Sequence, residues 1–147
     1  MAVTYRCGKA YADEQTDLPA VLRDYSTANR YVAEHFADAV CANCQGRVFR
    51  LALHEAAGVA VRTCCGCGAE HGIGDSDEYR DEVEPEACEC VCGKDQFEIT
   101  VGVALYEGSG EVRRLYVGCR CPICGLADCY GHWRNDYPSY QSLLARV

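Results

Sequence analysis

The chain has little positive charge and no long apolar run. It carries 14 Lys and Arg against 22 Asp and Glu, a formal net charge of −8. Nucleic-acid binding depends on basic residues that neutralise phosphates, so this composition disfavours nucleic acid as a partner. No apolar stretch approaches the ~20 residues of a membrane span, and residues 1–9 lack the apolar core of a secretion signal. We therefore expect a cytoplasmic protein without membrane association.

Familiar catalytic motifs are also missing. The sequence contains no phosphate-binding glycine loop, no dinucleotide-binding fingerprint and no grouping of serine, histidine and aspartate. Its four histidines, His35, His54, His71 and His132, are scattered along the chain. We therefore expect a protein that is not an enzyme and has no catalytic residues.

Cysteine, in contrast, is abundant, with 13 in 147 residues. A unit of about 50 residues usually needs a metal or disulfides to hold its small core together. Without a secretion signal, a reducing compartment favours metal binding over disulfides. The odd number of cysteines also fits eight metal ligands with bystanders better than a fully paired framework.

From Cys41 onwards the chain repeats itself. In each copy a cysteine pair is followed after five residues by a phenylalanine, then by two β-rich segments around a glycine-containing turn, then by a pair ending in Cys-Gly. Equivalent residues are Cys44 and Cys92, Phe49 and Phe97, Cys64 and Cys121, and Cys67 and Cys124. Residues 97–105 show the period-two alternation of a half-buried strand. Each copy is therefore predicted to form a β-hairpin with two cysteine knuckles.

Two such knuckles suit tetrahedral Zn²⁺, which binds four thiolates at about 2.3 Å. The ligands predicted in the first copy are Cys41, Cys44, Cys64 and Cys67, with 19 residues between the inner two. In the second copy they are Cys92, Cys121, Cys124 and either Cys90 or Cys88, of which we favour Cys90. We predict two structural Zn²⁺ sites. The cysteines outside them are Cys7, Cys65, Cys88, Cys119 and Cys129.

These residues resemble the zinc-ribbon family, in which two cysteine knuckles lie on a β-hairpin and a third strand is added. The resemblance covers about 100 residues, given two units of about 50. It implies tandem zinc ribbons, each with a structural metal held by four cysteines. It implies no particular function, since zinc ribbons occur in transcription factors, ribosomal proteins, enzymes and adaptors.

The flanking segments are predicted to add helices. A stripe at helical spacing predicts one N-terminal helix, or two short helices with Ser26 capping the second. Its members are Leu18, Val21, Leu22, Tyr25, Val32, Phe36 and Val40. Residues 126–133 are predicted to form a third strand, and residues 138–144 a short helix capped by Ser139. The expected fold is a small metal-stabilised α+β protein, with an N-terminal segment (1–40), a first zinc ribbon with an acidic linker (41–84) and a second zinc ribbon with the C-terminal helix (85–147).

Charge and aromatic content favour a protein partner. Acidic residues crowd between Asp75 and Glu89, as a solvated linker or a docking surface, and ten tyrosines offer anchor side chains. We expect a non-catalytic zinc-binding interaction module, for example an acidic inhibitor or immunity protein that masks a basic partner. One alternative is a nucleic-acid- or transcription-associated zinc ribbon that uses Arg113, Arg114 and Arg120. Another is a redox or metal-sensing switch that uses the surplus cysteines.

Overall fold

The computed structural model describes residues 2–147, which form two antiparallel β-sheets. The strands are β1 (Val3–Arg6), β2 (Lys9–Ala12), β3 (His35–Asp38), β4 (Phe49–His54), β5 (Val59–Cys64), β6 (Glu70–Gly72), β7 (Glu86–Ala87), β8 (Glu98–Leu105), β9 (Val112–Arg120) and β10 (Leu126–Tyr137). The large sheet has the order β1-β2-β10-β9-β8-β3, and the small sheet has the order β6-β5-β4-β7. The helices are α1 (Leu18–Ala28) and α2 (Tyr140–Leu144). Short 3-10 turns lie at Gln15–Asp17, Glu55–Ala57, Ser76–Glu78 and Arg80–Glu82.

The expected α+β class is wrong, because the structure is mostly β. The first residues of the predicted N-terminal segment form the β1–β2 hairpin, in which Val3 pairs with Ala12 and Arg6 with Lys9. Positive φ angles at Cys7 (52°) and Gly8 (75°) give the tight turn that this hairpin needs. β2 then continues the large sheet by pairing with β10.

The predicted N-terminal helix stops well before residue 40. Helix α1 ends at Ala28, Arg30 takes a left-handed conformation (φ 75°), and Ser26 lies inside the helix instead of capping a second one. The Oγ of Ser26 accepts the main-chain N–H of Ala33 (2.8 Å). This bond fixes the chain where it turns away after the end of α1. The later members of the apolar stripe are four residues apart, a spacing that also keeps side chains on one face of a strand. Part of that segment is β3, where Phe36 lies so close to Gly102 of β8 that a Cβ there would meet its ring at 2.9 Å.

Other local predictions are confirmed. Both copies of the repeat form hairpins, β4–β5 in the small sheet and β8–β9 in the large one. The predicted third strand is β10, which is longer than expected and pairs with β9. The C-terminal helix is α2, and the Oγ of Ser139 accepts the N–H of Ser142 at its start (3.4 Å). Among residues 2–147, no helix is long and apolar enough to cross a membrane.

Each hairpin is extended by a strand that comes from the other copy of the repeat. β3 directly precedes Cys41 of the first copy but pairs with β8 of the second. β7 directly precedes Cys90 of the second copy but pairs with β4 of the first. Equivalent hydrogen bonds continue both pairings: Ala39 N–H to Ile99 O (2.9 Å) and Cys88 N–H to Leu51 O (2.8 Å). The two copies have therefore exchanged the strands that lead into their first knuckles.

The two phenylalanines of the repeat meet at the centre of this exchange. Phe49 and Phe97 form an antiparallel bridge, in which each main-chain N–H donates to the other's carbonyl at 2.8 Å. Both side chains are fully buried. A reciprocal antiparallel pair is symmetric about a local two-fold axis, and here its two members are equivalent residues. The repeat detected in the sequence is thus expressed as an internal two-fold relation between the hairpins.

The main core lies between the two sheets. It combines Leu51 and Ala60 of the small sheet with Val101 and Leu115 of the large one, all almost fully buried. Leu143 of α2 belongs to the same cluster. The division of the chain at residues 40 and 84 stays a prediction. The shared core and the exchanged strands β3 and β7 join residues from different predicted segments.

Candidate metal centres

The first candidate centre is formed by the two knuckles of the small sheet. In each, the N–H of the first cysteine donates to the carbonyl five residues ahead, and its carbonyl accepts the N–H four residues ahead. The bonds are Cys41 N–H to Gly46 O (2.8 Å), Gln45 N–H to Cys41 O (2.8 Å), Cys64 N–H to Ala69 O (2.9 Å) and Gly68 N–H to Cys64 O (2.9 Å). These bonds turn the chain tightly enough for both cysteines of a knuckle to point at the same spot.

The second candidate centre combines one regular knuckle with one that is a residue shorter. Cys121 makes the same two bonds, to Leu126 O (2.9 Å) and from Gly125 N–H (2.8 Å). At the other knuckle both spans are one residue shorter, because Cys90 N–H donates to Lys94 O (2.7 Å) and Cys90 O accepts Gly93 N–H (2.9 Å). A Cys-x-Cys sequence therefore builds the same kind of turn.

The structure brings together the eight cysteines favoured as ligands. In each group all four Sγ atoms lie within 4.8 Å of one another. Two Sγ–Sγ distances in each group are Cys41–Cys67 (3.6 Å) and Cys44–Cys64 (3.5 Å), and Cys90–Cys124 (3.6 Å) and Cys92–Cys121 (3.7 Å). A tetrahedron with metal–sulfur bonds of about 2.3 Å has edges of about 3.8 Å. The donor sets therefore fit two tetrahedral metal ions.

Cys88 lies outside the second group. It occupies the position of Ala39 in the repeat, two residues before the knuckle, and its main chain belongs to the pairing with β4. The sequence alone left Cys88 and Cys90 open, and the geometry places Cys90 in the cluster.

A left-handed residue follows the last cysteine of every knuckle. The φ angles are 79° at Gly68, 89° at Gly93 and 81° at Gly125, as expected for glycine in such turns. At the fourth knuckle the residue is Gln45, with φ 64°. A residue with a side chain costs about 1–2 kcal/mol in this conformation. The Cys41–Cys44 knuckle therefore contains a strained position that the other three knuckles avoid.

Hydrogen bonds and neighbouring thiols divide the first centre into more and less acidic cysteines. The side chain of Asn43 lowers the pKa of Cys67 to about 6. The main-chain N–H of Cys67 lowers the pKa of Cys64. The N–H of Gly46 also lowers the pKa of Cys44, but the neighbouring thiols outweigh it and raise that pKa to about 12. Four clustered thiols thus share a limited negative charge until a cation stabilises all four as thiolates.

The second centre is harder to ionise. The main-chain N–H of Lys94 lowers the pKa of Cys92. Burial raises the pKa of Cys90 to about 12 and also raises the pKa of Cys124. Fewer thiols here are acidic before metal binds.

Arg62 supplies a buried positive charge beside the first centre. Its side chain stacks on Phe49 (4.5 Å from the guanidinium carbon to the ring centre) and donates to the main-chain oxygens of Val147 (2.8 Å) and Val40 (3.4 Å). Burial lowers the pKa of Arg62, while the thiols of Cys41 and Cys64 raise it. No side-chain carboxylate forms a salt bridge with this guanidinium among the described residues, and the ionisable neighbours that act on it are Cys41 and Cys64.

Neither Arg62 nor Asn43 belongs to the cysteine pattern from which the two centres were predicted. Arg62 stands in the run Val59-Ala-Val-Arg-Thr-Cys64, where an arginine between buried strand residues is the one signal that was available. Asn43 fills a variable position of a knuckle, for which the cysteine spacing gives no information.

The remaining cysteines do not form a third centre in residues 2–147. Cys7 lies in the β1–β2 turn, and Cys65 lies within a knuckle of the first centre. Burial raises the pKa of Cys88 to about 11 and of Cys129 to about 12, and it raises the pKa of the fully buried Cys119 well above its ordinary value. These three are therefore protonated thiols at neutral pH.

Neither cysteine group contains a histidine. His71, the histidine nearest in sequence to the first centre, instead contacts the main-chain oxygen of Arg146 through Nε2 (2.6 Å). Both candidate centres therefore have closed shells of four sulfurs, with no position set aside for water.

Comparison with models of known protein families, with curated proteins and with solved structures found no match to this chain. The two groups of four cysteines are consistent with zinc-ribbon-like sites, and that likeness rests on their geometry alone.

Proposed function

We propose that this protein is a non-catalytic module in which two structural Zn²⁺ ions hold a surface for binding another protein. The observation that carries the proposal is the pair of closed four-sulfur shells. Sulfur tetrahedra favour Zn²⁺ or iron–sulfur chemistry. A zinc ion with four thiolates lacks the open coordination position on which catalytic zinc depends, so its contribution is to the fold.

The metal part of the proposal is tested by elemental analysis of protein purified without added metal. We expect two zinc ions per chain and no bound iron. A stoichiometry near zero in folded protein, or iron in place of zinc, contradicts it.

The first feature that supports a protein partner is an acidic face, by which we mean the exposed carboxylates of the linker at residues 75–89. The linker between the copies contains two 3-10 turns and β7. Arg80 pairs with Asp77 and Glu70 and is the only cation bound there among the described residues. Six exposed carboxylates of this linker form no salt bridge within residues 2–147: Glu78, Asp81, Glu82, Glu84, Glu86 and Glu89. Such a face suits a basic protein, whose approach it accelerates electrostatically.

Exposed aliphatic side chains at the second centre are the other supporting feature. Val91 and Ile123 lie in its two knuckles and are 70% and 66% exposed. The corresponding stretches of the first centre hold small or polar residues, among them Asn43 and Gly66. The knuckle itself therefore does not need an aliphatic residue, and the pair is available for contact with a partner.

The partner proposal is tested with charge-reduced protein. The variant Glu82→Gln/Glu84→Gln/Glu86→Gln removes three charges from the acidic face, and Asp13→Asn/Glu107→Gln/Glu111→Gln removes three elsewhere as a matched control. In affinity capture followed by binding measurements on a purified basic partner, we expect the first variant to associate at least tenfold more slowly at low salt and the control to match the wild type. Equal loss in both variants refutes a specific acidic docking face, and capture of no basic protein refutes the proposed role as an inhibitor.

A further inference from the structure

Arginines converge at one place on this acidic protein, in a recess lined by no residue of either metal centre. Arg113 and Arg114 of β9 and Arg134 of β10 line this recess of about 180 Å³ together with Tyr31 and Tyr106. No carboxylate is among the residues that line it. Arg114 and Arg134 are directly opposed in the β9–β10 register. Like charges at opposed positions destabilise a sheet, so this arginine pair does not contribute to the stability of the fold.

The charges in the recess are largely unneutralised. Arg113 makes no salt bridge within the described residues, and its guanidinium carbon lies 4.2 Å from the ring centre of Tyr31 and 5.3 Å from that of Tyr106. Arg114 donates to Nδ1 of His132 from Nε (3.0 Å) and from the terminal nitrogen (2.7 Å). Such contacts position a guanidinium without cancelling its charge.

One carboxylate stands beside the recess. Asp136 pairs with Arg134 (3.1 Å) and accepts the hydroxyl of Tyr106. Among the three arginines that line the recess, Arg134 alone forms a salt bridge within residues 2–147, so the other two guanidinium groups have no ionic partner in a chain whose formal net charge is −8.

A larger cleft of about 730 Å³ opens from the recess and shares Tyr31, Tyr106 and Arg113 with it. It extends to Arg30, the residue with the left-handed backbone after α1, and to the β8–β9 turn. Its volume is in the range of small-molecule sites. Glu34 and Glu107 also line it, so its outer part does not favour further negative charge.

We propose that the recess binds the phosphate group of a small phosphorylated molecule whose organic part lies in the adjoining cleft. Guanidinium groups present paired donors that match phosphate oxygens, and the fixed positions of Arg113 and Arg114 reduce the ordering that binding requires. A long polyanion fits less well, because Glu34 and Glu107 border the cleft. Arg120, which the sequence grouped with these arginines, lies six residues further along β9, about 20 Å away, and is bound to Glu98 (2.8 Å).

The probes are inorganic phosphate, adenosine 5′-monophosphate and a single-stranded 12-residue oligonucleotide, titrated into metal-loaded protein at low salt. Heteronuclear NMR spectra give both affinity and location. We expect the monophosphate to bind more tightly than inorganic phosphate, with shifts centred on Tyr31, Tyr106 and Arg113. We expect Arg113→Gln to weaken it about tenfold or more, as for a lost charged hydrogen bond, and Arg50→Gln, an exposed arginine of the small sheet, to leave it unchanged.

Three results overturn the proposal. They are the absence of binding by either phosphate probe up to 10 mM, monophosphate affinity unaffected by Arg113→Gln, and oligonucleotide binding at least tenfold tighter than monophosphate. If Arg113→Gln fails to fold, the exposed Arg134→Gln takes its place, with the same tenfold loss expected and an unchanged thermal midpoint as its folding control.

Discussion

Removal of a single thiolate from the second centre tests whether the two copies of the repeat depend on each other. Cys92→Ser takes one of the four sulfurs away from a group whose Sγ atoms lie within 4.8 Å of one another. The altered residue is exposed, so its direct packing loss is small. We expect the protein to lose both metal ions and to unfold as a whole.

The magnitude follows from the metal and from the exchanged strands. A structural Zn²⁺ contributes about 10–16 kcal/mol of apparent binding energy at neutral pH, and a domain of this size has a total stability of about 5–15 kcal/mol. Loss of the second ion therefore removes a free energy comparable to the total stability of the domain. The first centre depends on the second hairpin, because β3, which leads into Cys41, is paired with β8 of that hairpin. Phe49 also shares its two bridge hydrogen bonds with Phe97.

The assay is zinc content per chain, measured together with circular dichroism. Wild-type protein and Cys7→Ser, a change at an exposed cysteine outside both groups, should each hold two ions. Cys92→Ser should hold close to none. If it instead retains one ion and a cooperatively folded first hairpin, the copies are independent and the argument from strand exchange is wrong.

Three further changes have defined outcomes. Gln45→Gly should relieve the left-handed strain (φ 64°) and raise the unfolding midpoint by about 2–4 °C, for a gain of about 1 kcal/mol, whereas Gln45→Ala should give no gain in the same thermal scan. Arg62→Met should cost about 3–5 kcal/mol, because it removes the buried positive charge beside the anionic metal–thiolate centre, and chelator competition should then remove both ions faster than from the wild type. The hydrogen bond from the Asn43 side chain lowers the pKa of Cys67 to about 6, so the contribution of this thiolate is present above the ordinary thiol pKa and is lost as the pH falls through about 6. Asn43→Ala keeps all eight cysteines and removes this bond, so a colorimetric chelator should detect metal release at a higher pH in this variant than in the wild type.

Local features of this fold could be predicted because their causes are local. The knuckles, the hairpins and the Ser139 cap each depend on residues a few positions apart, where spacing and alternation carry the information. The equivalence of Phe49 and Phe97 was also visible in the sequence, but not that these two residues would bind each other.

The features that were missed depend on pairing at a distance or on an ambiguous spacing. Val32 and Phe36 fit helix and strand equally well, and only Arg30, with its left-handed backbone, ends the helix before them. β1 is mostly exposed and lacks an apolar alternation that could identify it. The pairing of β3 with β8 joins residues more than 60 positions apart, and nothing in either segment alone specifies the other.

The two centres are equivalent in the repeat but have become chemically different. Arg62 lies opposite Leu51 in the β4–β5 register, and Cys119 lies opposite Ile99 in the β8–β9 register, so these two residues occupy the same position in their copies. The first copy places a guanidinium there, beside its thiolates, and the second places a neutral, fully buried thiol. Exchange of identical strands between two like units is the arrangement of a strand-swapped dimer, here contained in one chain. Because each copy takes an edge strand from the other, a single copy would expose an unpaired hairpin edge and lose the Phe49–Phe97 bridge, so each metal centre stabilises a hairpin that the other centre also requires.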